Sequence, residues 1–130
     1  MQPDTHPLID RRLCGEPVEL APGVAVARMV TTPDMQVDAR GLVHGGFVFG
    51  LVDHAAMLAV NDPLVVLGSA DVRFIAPVAV GDEVVARAER VEQSGRKHVL
   101  QVEAKVGDRA VLQGRLTAFV LDRHVLDGRA

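Results

Sequence analysis

Tryptophan and tyrosine are absent from the 130 residues, phenylalanine occurs four times and cysteine once. A core without large aromatics has to be built from Val, Leu and Ala. A single thiol, Cys14, permits no intrachain disulfide, which fits a reducing compartment. It lies in Arg12-Leu13-Cys14-Gly15, ahead of the first expected strand, and is not read as a nucleophile. Positive charge is not in excess either. The net charge is −3 and no basic run interleaves with aromatics, which disfavours DNA or RNA as a partner. No apolar stretch approaches the roughly 20 residues that cross a bilayer. Residues 1–10 carry prolines and acids in place of an apolar signal region. A cytoplasmic protein with no membrane partner is expected. The five histidines show no metal-ligand spacing with acids or cysteine, and no glycine-rich phosphate loop is present. No metal and no cofactor are therefore expected.

What is present is a chain long enough to bury its own core, with 48% hydrophobic and 24% charged residues. The expectation is one domain over residues 1–130, with residues 1–14 as a poorly specified lead-in holding one helical turn around Leu8 to Leu13. Strands are expected at Glu16–Leu20 and Val24–Thr31, around the turn Ala21-Pro22-Gly23. Pro33 to Leu42 reads as a loop. Further strands are expected at Leu64–Ile75, at Val84–Glu92, and from Lys97 and Arg109 onward, with Gly107-Asp108 as a two-residue hairpin turn. In the last strand Ala110, Leu112, Leu116, Ala118 and Val120 should share the inner face.

Gly45 to Asn61 is the one strong helix. From Gly45 to Val60 its only polar side chains are Asp53 and His54. A helix apolar all round is expected to be buried all round. The order of elements predicts an α+β fold, an antiparallel sheet wrapped around one central helix. Exposed sheet edges and an uncovered helix face predict self-association.

Chemistry concentrates in His44-Gly45-Gly46-Phe47-Val48-Phe49-Gly50-Leu51-Val52-Asp53. A carboxylate in an apolar helix costs several kcal/mol unless paired, so Asp53 needs a reason to be there. Glycines at a helix start let a ligand approach free N–H groups, which can serve as an oxyanion hole. Seven residues separate Gly46 from Asp53. They share a face but stand roughly 10 Å apart along the axis, too far to act on one carbonyl. Two helices packed antiparallel about a two-fold would bring Asp53 of one chain to Gly46 of the other. The spacing thus predicts composite sites across a dimer.

This stretch resembles the phenylacetate-pathway type of acyl-CoA thioesterase in the hotdog superfamily, with Gly41, His44, Gly45, Gly46 and Asp53 in register. Gly68-Ser69-Ala70-Asp71-Val72-Arg73-Phe74, Pro77 and Gly81-Asp82 extend the similarity, which runs from about residue 23 to 121. The resemblance implies a hotdog fold and a thioester hydrolase acting on an acyl-CoA, as a homodimer or homotetramer. Asp53 would attack the thioester or activate water, and the Gly46 N–H of the neighbouring chain would polarise the carbonyl. His44 and Gly45 would position the thioester, and Ser69 matches a serine that some members place at the site. Asp38 stands where the family has Asn, and a carboxylate cannot donate as an amide does.

Coenzyme A is anionic and part of the substrate, and Arg96 with Lys97 at the Ser94-Gly95 turn is the pair expected to hold its phosphates. Structural alternatives stand beside each assignment. Asp53 can be a paired structural residue, His44 a helix cap, Ser69 a plain strand residue, and Arg96 and Lys97 a solvated hairpin tip. Phe47, Phe49 and Met57 can line an acyl tunnel or be core, and His54 and Asn61 read as interface or capping residues. Other functions consistent with the pattern are a non-catalytic acyl-CoA or acyl-carrier sensing domain and a hotdog hydratase. The hydratase's His–acid pair around the helix start is not found here.

Overall fold

The computed structural model describes residues 1–129. Its strands are β1 (Glu16–Ala21), β2 (Val24–Val30), β3 (Val65–Phe74), β4 (Glu83–Ser94), β5 (Lys97–Val106) and β6 (Arg109–Val120). Its α-helices are α1 (Arg11–Cys14) and α2 (Gly45–Val60). The strands form one antiparallel sheet in the order β1-β2-β4-β5-β6-β3. After α2 the chain crosses to the far edge of the sheet, so β1 and β3 are the two edge strands. This is the α+β architecture that the order of elements predicts, and the hotdog fold that the resemblance implies.

The composition explains how sheet and helix meet. β2 and β4 turn Ala25, Ala27, Ala86 and Ala88 inward, all fully buried. Alanine lets the helix axis come close, and the bulk is supplied from α2 by Leu51, Val52, Met57 and Leu58. Leu100, Leu112 and Leu116 of β5 and β6 complete this core. Truncating any one of these leucines to Ala would cost about 2–5 kcal/mol in lost transfer energy plus cavity. Gly114 of β6 is required by close approach, because a Cβ there would stand 2.6 Å from the Val72 Cα of β3.

Two expectations are corrected and one is met. The inner face of β6 does not alternate strictly: Val111 is buried beside Leu112. Ala104 pairs with Leu112 and Lys105 with Ala110, so Val111 is the extra residue of a bulge. The expected uncovered face of the helix is present within one chain. Val48, Leu51, Val52 and His54 to Ala59 are buried, while Gly46 is exposed and Phe47, Phe49, Gly50 and Asp53 are half-buried. A single sheet reaches only one side of a cylinder, and a Cβ on Gly50 would meet nothing within 4 Å.

The lead-in, finally, is well specified. Asp10 caps α1 by accepting from the N–H groups of Arg12 (2.9 Å) and Leu13 (3.4 Å). The residues before it lie along the C-terminal half of α2.

No helix among the described residues is long and apolar enough to cross a membrane.

Candidate functional site

The start of α2 is positioned by the loop before it. The Val43 N–H donates to the Val78 carbonyl and the His44 N–H to that of Met35, both at 2.9 Å. His44 is the extended N-cap residue, and its Nδ1 accepts the Gly46 N–H at 2.7 Å. The capping role weighed for His44 is therefore present in the structure. A Cβ on Gly46 would stand 2.7 Å from that same nitrogen, so any side chain there displaces the ring. Gly45 lies against Phe74, whose ring would be 3.2 Å from an added Cβ. Beside it opens an apolar cavity of about 300 Å³, lined by Val43, Gly45, Val48, Phe74, Pro77 and Val111.

Asp53 lies two turns further along the helix. Its Oδ1 is buried and has no hydrogen-bond partner among the described residues. Burial pushes the carboxyl above its usual range, and the charge of nearby His6 partly opposes this. The Cys14 thiol is pushed up as well, by burial and then by Asp10 and Asp53. His54, the next residue on the helix, is buried and its pKa is lowered by that burial. Its Nδ1–H donates to the Cys14 carbonyl at 3.2 Å, which fixes the ring against the N-terminal segment.

The other expected residues are dispersed. Ser69 is exposed on edge strand β3, opposite Thr117 and next to a bulge at Gly68. No hydrogen bond within the described residues joins Ser69 to His44 or Asp53. Arg96 and Lys97 are exposed at the β4–β5 turn, and Arg96 is ion-paired with Asp122. Met57 is 1% exposed and belongs to the core, so it does not line a tunnel. Phe47 packs edge-on to the His44 ring, with centroids 6.1 Å apart. Asn61 caps the C-terminus of α2 in the left-handed conformation, as a capping residue should.

Asp38 organises its own loop, where its Oδ1 accepts from the N–H groups of Arg40 (3.0 Å) and Leu42 (3.2 Å). An Asn oxygen would accept these bonds equally well, so the loop tolerates either residue. No group of His, Cys, Asp or Glu suited to a metal ion occurs among the described residues.

His6 carries no signal in the sequence. It stands in a segment with no periodicity, and nothing local links it to a helix that begins almost forty residues later.

Comparison with known proteins gives neighbours of one fold under differing names. The family model described as "Thioesterase superfamily" matches residues 40–113. Among solved structures, protein PH1136 of Pyrococcus horikoshii is 48% identical with a TM-score of 0.96, covering 98% of both chains. A point mutant of the phenylacetic acid degradation protein PaaI from Thermus thermophilus is 33% identical with a TM-score of 0.76. It covers 84% of this chain and 95% of that one.

A methylthioribose-1-phosphate isomerase of Aquifex aeolicus is 44% identical over 91% of this chain, which spans only 26% of that protein. Transcription factor FapR of a Thermoanaerobacter species is 29% identical over 89% of this chain, which spans 58% of it. The chain thus spans between about a quarter and three-fifths of these curated relatives.

Proposed function

Because the chain belongs to the thioesterase superfamily, we propose that it hydrolyses an acyl-CoA to a free acid and coenzyme A, with Asp53 as nucleophile or general base. The observation that carries this reading is the Asp53 carboxylate itself, with a buried oxygen that no neighbour among the described residues satisfies. Such a group is costly to a fold and useful to a reaction. Burial raises its basicity, which suits either direct attack on the thioester carbonyl or removal of a proton from water.

The oxyanion would be taken by the Gly46 N–H of the partner subunit, since Gly46 and Asp53 of one helix are roughly 10 Å apart. The open flank of α2 at Gly50, where an added Cβ would meet nothing within 4 Å, leaves room for a second helix to approach. In the resting chain that N–H is held by His44, so the arriving carbonyl exchanges places with the ring at the cost of one equivalent hydrogen bond. The apolar cavity beside Gly45 suits the acyl chain, and Arg96 and Lys97 are the basic groups proposed for the CoA phosphates. The whole chain acts as one hotdog domain in a homodimer or a dimer of dimers. Its single cysteine suits a cytoplasmic setting.

Incubation with a panel of acyl-CoAs, following thiol release by wild type and Asp53→Asn, tests the proposal. Release by the wild type alone supports it, and equal release by both removes Asp53 from the mechanism. The match to FapR, a protein named as a transcription factor, favours one other reading, an acyl-CoA or acyl-carrier sensing domain. Binding of acyl-CoA with no thiol release would decide for it.

A further inference from the structure

The ten residues ahead of α1 are fastened to α2 at its end. Asn61 holds them at two points: its Oδ1 accepts the Asp4 N–H at 2.6 Å, and its Nδ2 donates to the Gln2 carbonyl at 3.0 Å. Thr5 is buried, and its hydroxyl shares a 2.7 Å hydrogen bond with His6 Nδ1. His6 itself has a φ of 54°, the left-handed conformation that a Cβ disfavours. This strained turn lays the imidazole over α2, stacked on His54 with ring centroids 6.1 Å apart and planes at 29°. His54 is the neighbour of Asp53, whose buried Oδ1 lacks a partner among the described residues. Strained backbone held in place by such hydrogen bonds is characteristic of residues kept for a function.

We propose that His6 is a positioning residue of the Asp53 site, an imidazole delivered by the N-terminal segment to serve as the electrostatic partner of the buried carboxylate. This rests on the reading of Asp53 as the working group. The neighbouring titratable groups do not offer the same service. His54 is buried and commits its Nδ1–H to the Cys14 carbonyl. Cys14 is held as a neutral thiol, and Asp10 is engaged in capping α1. The Arg11 charge is felt at His54. Positive charge at His6 favours the ionised form of Asp53, against burial. A cation nearby but not bonded promotes ionisation without occupying the lone pairs that must react.

His6→Asn tests the inference, because Asn tolerates the left-handed backbone and carries no charge. The carboxyl of Asp53 is titrated by ¹³C NMR in wild type and variant, and kcat/KM for an acyl-CoA is followed from pH 4 to 9. The expected result is an Asp53 midpoint raised by roughly half a unit or more, with the acid limb of kcat/KM moving with it. His6→Lys, which keeps a cation, should return the midpoint toward the wild-type position. It also serves if the Asn variant does not fold, with His6→Gln as its neutral counterpart. Equal midpoints in neutral and cationic variants overturn the inference. If Asp53→Asn proves fully active, the proposed reaction fails, while the NMR titration still decides the role of His6.

Discussion

The imidazole of His44 and the backbone of Gly46 are bonded to each other, the Gly46 N–H donating to Nδ1 across 2.7 Å. One ring thus satisfies a helix terminus and occupies the donor that the reaction is proposed to need. Replacing it separates the two roles. His44→Ala should lower stability by about 1 kcal/mol in urea unfolding, the usual value of an N-cap. His44→Asn, which caps well, should keep that stability. A fall in kcat in the Asn variant would show the ring acting on substrate. Wild-type kcat would leave it a cap.

Asp53→Asn should reduce kcat/KM by roughly 10² or more and at the same time stabilise the fold. Burial holds the folded-state carboxyl above its ordinary value. As pH rises between the two values, the unfolded chain releases a proton that the folded chain retains, so stability falls through that window and stays lower at neutral pH. The Asn variant should therefore have the higher Tm at pH 7, with the gap closing toward pH 3. A gap that widens on acidification would contradict a raised Asp53.

Composite sites predict complementation. Gly46→Pro removes the N–H and, because even a Cβ would reach the His44 ring, also expels the cap. Mixed with Asp53→Asn after subunit exchange, each heterodimer would hold one doubly damaged site and one intact site. Two inactive homodimers should then regain part of the wild-type rate. Zero activity with exchange demonstrated, and the Pro variant shown to be folded, would rule out sites shared between chains.

For coenzyme A, the double change Arg96→Ala and Lys97→Ala should raise KM several-fold for CoA esters but not for truncated thioesters without the nucleotide. Asp122 adds a finer test, since it pairs with Arg96 in the free protein. Asp122→Asn frees the guanidinium and should lower KM for CoA esters. Equal effects on both substrate classes would reduce the turn to a solvated hairpin tip.

Much of this protein is determined locally, and that part was legible in the amino-acid sequence. Alternation from Lys97 onward defines β5 and β6 because a strand with one buried face repeats every two residues. The apolar run from Gly45 to Val60 could only be a helix enclosed by protein, and the turns at Pro22-Gly23 and Gly107-Asp108 carry their own chemistry. The spacing of His44, Gly46 and Asp53 follows from helical geometry alone.

Only the tertiary structure decided the rest. Val111 turns inward because β5 and β6 slip by one residue where they pair, which neither strand encodes by itself. Met57 became core because neighbouring elements close over it. The aperiodic residues before α1 gained a place because Asn61, far along the chain, offers two hydrogen bonds to their backbone. The stacking of His6 on His54 depends on that distant clasp, and contacts between remote segments leave no periodic trace in the residues that make them.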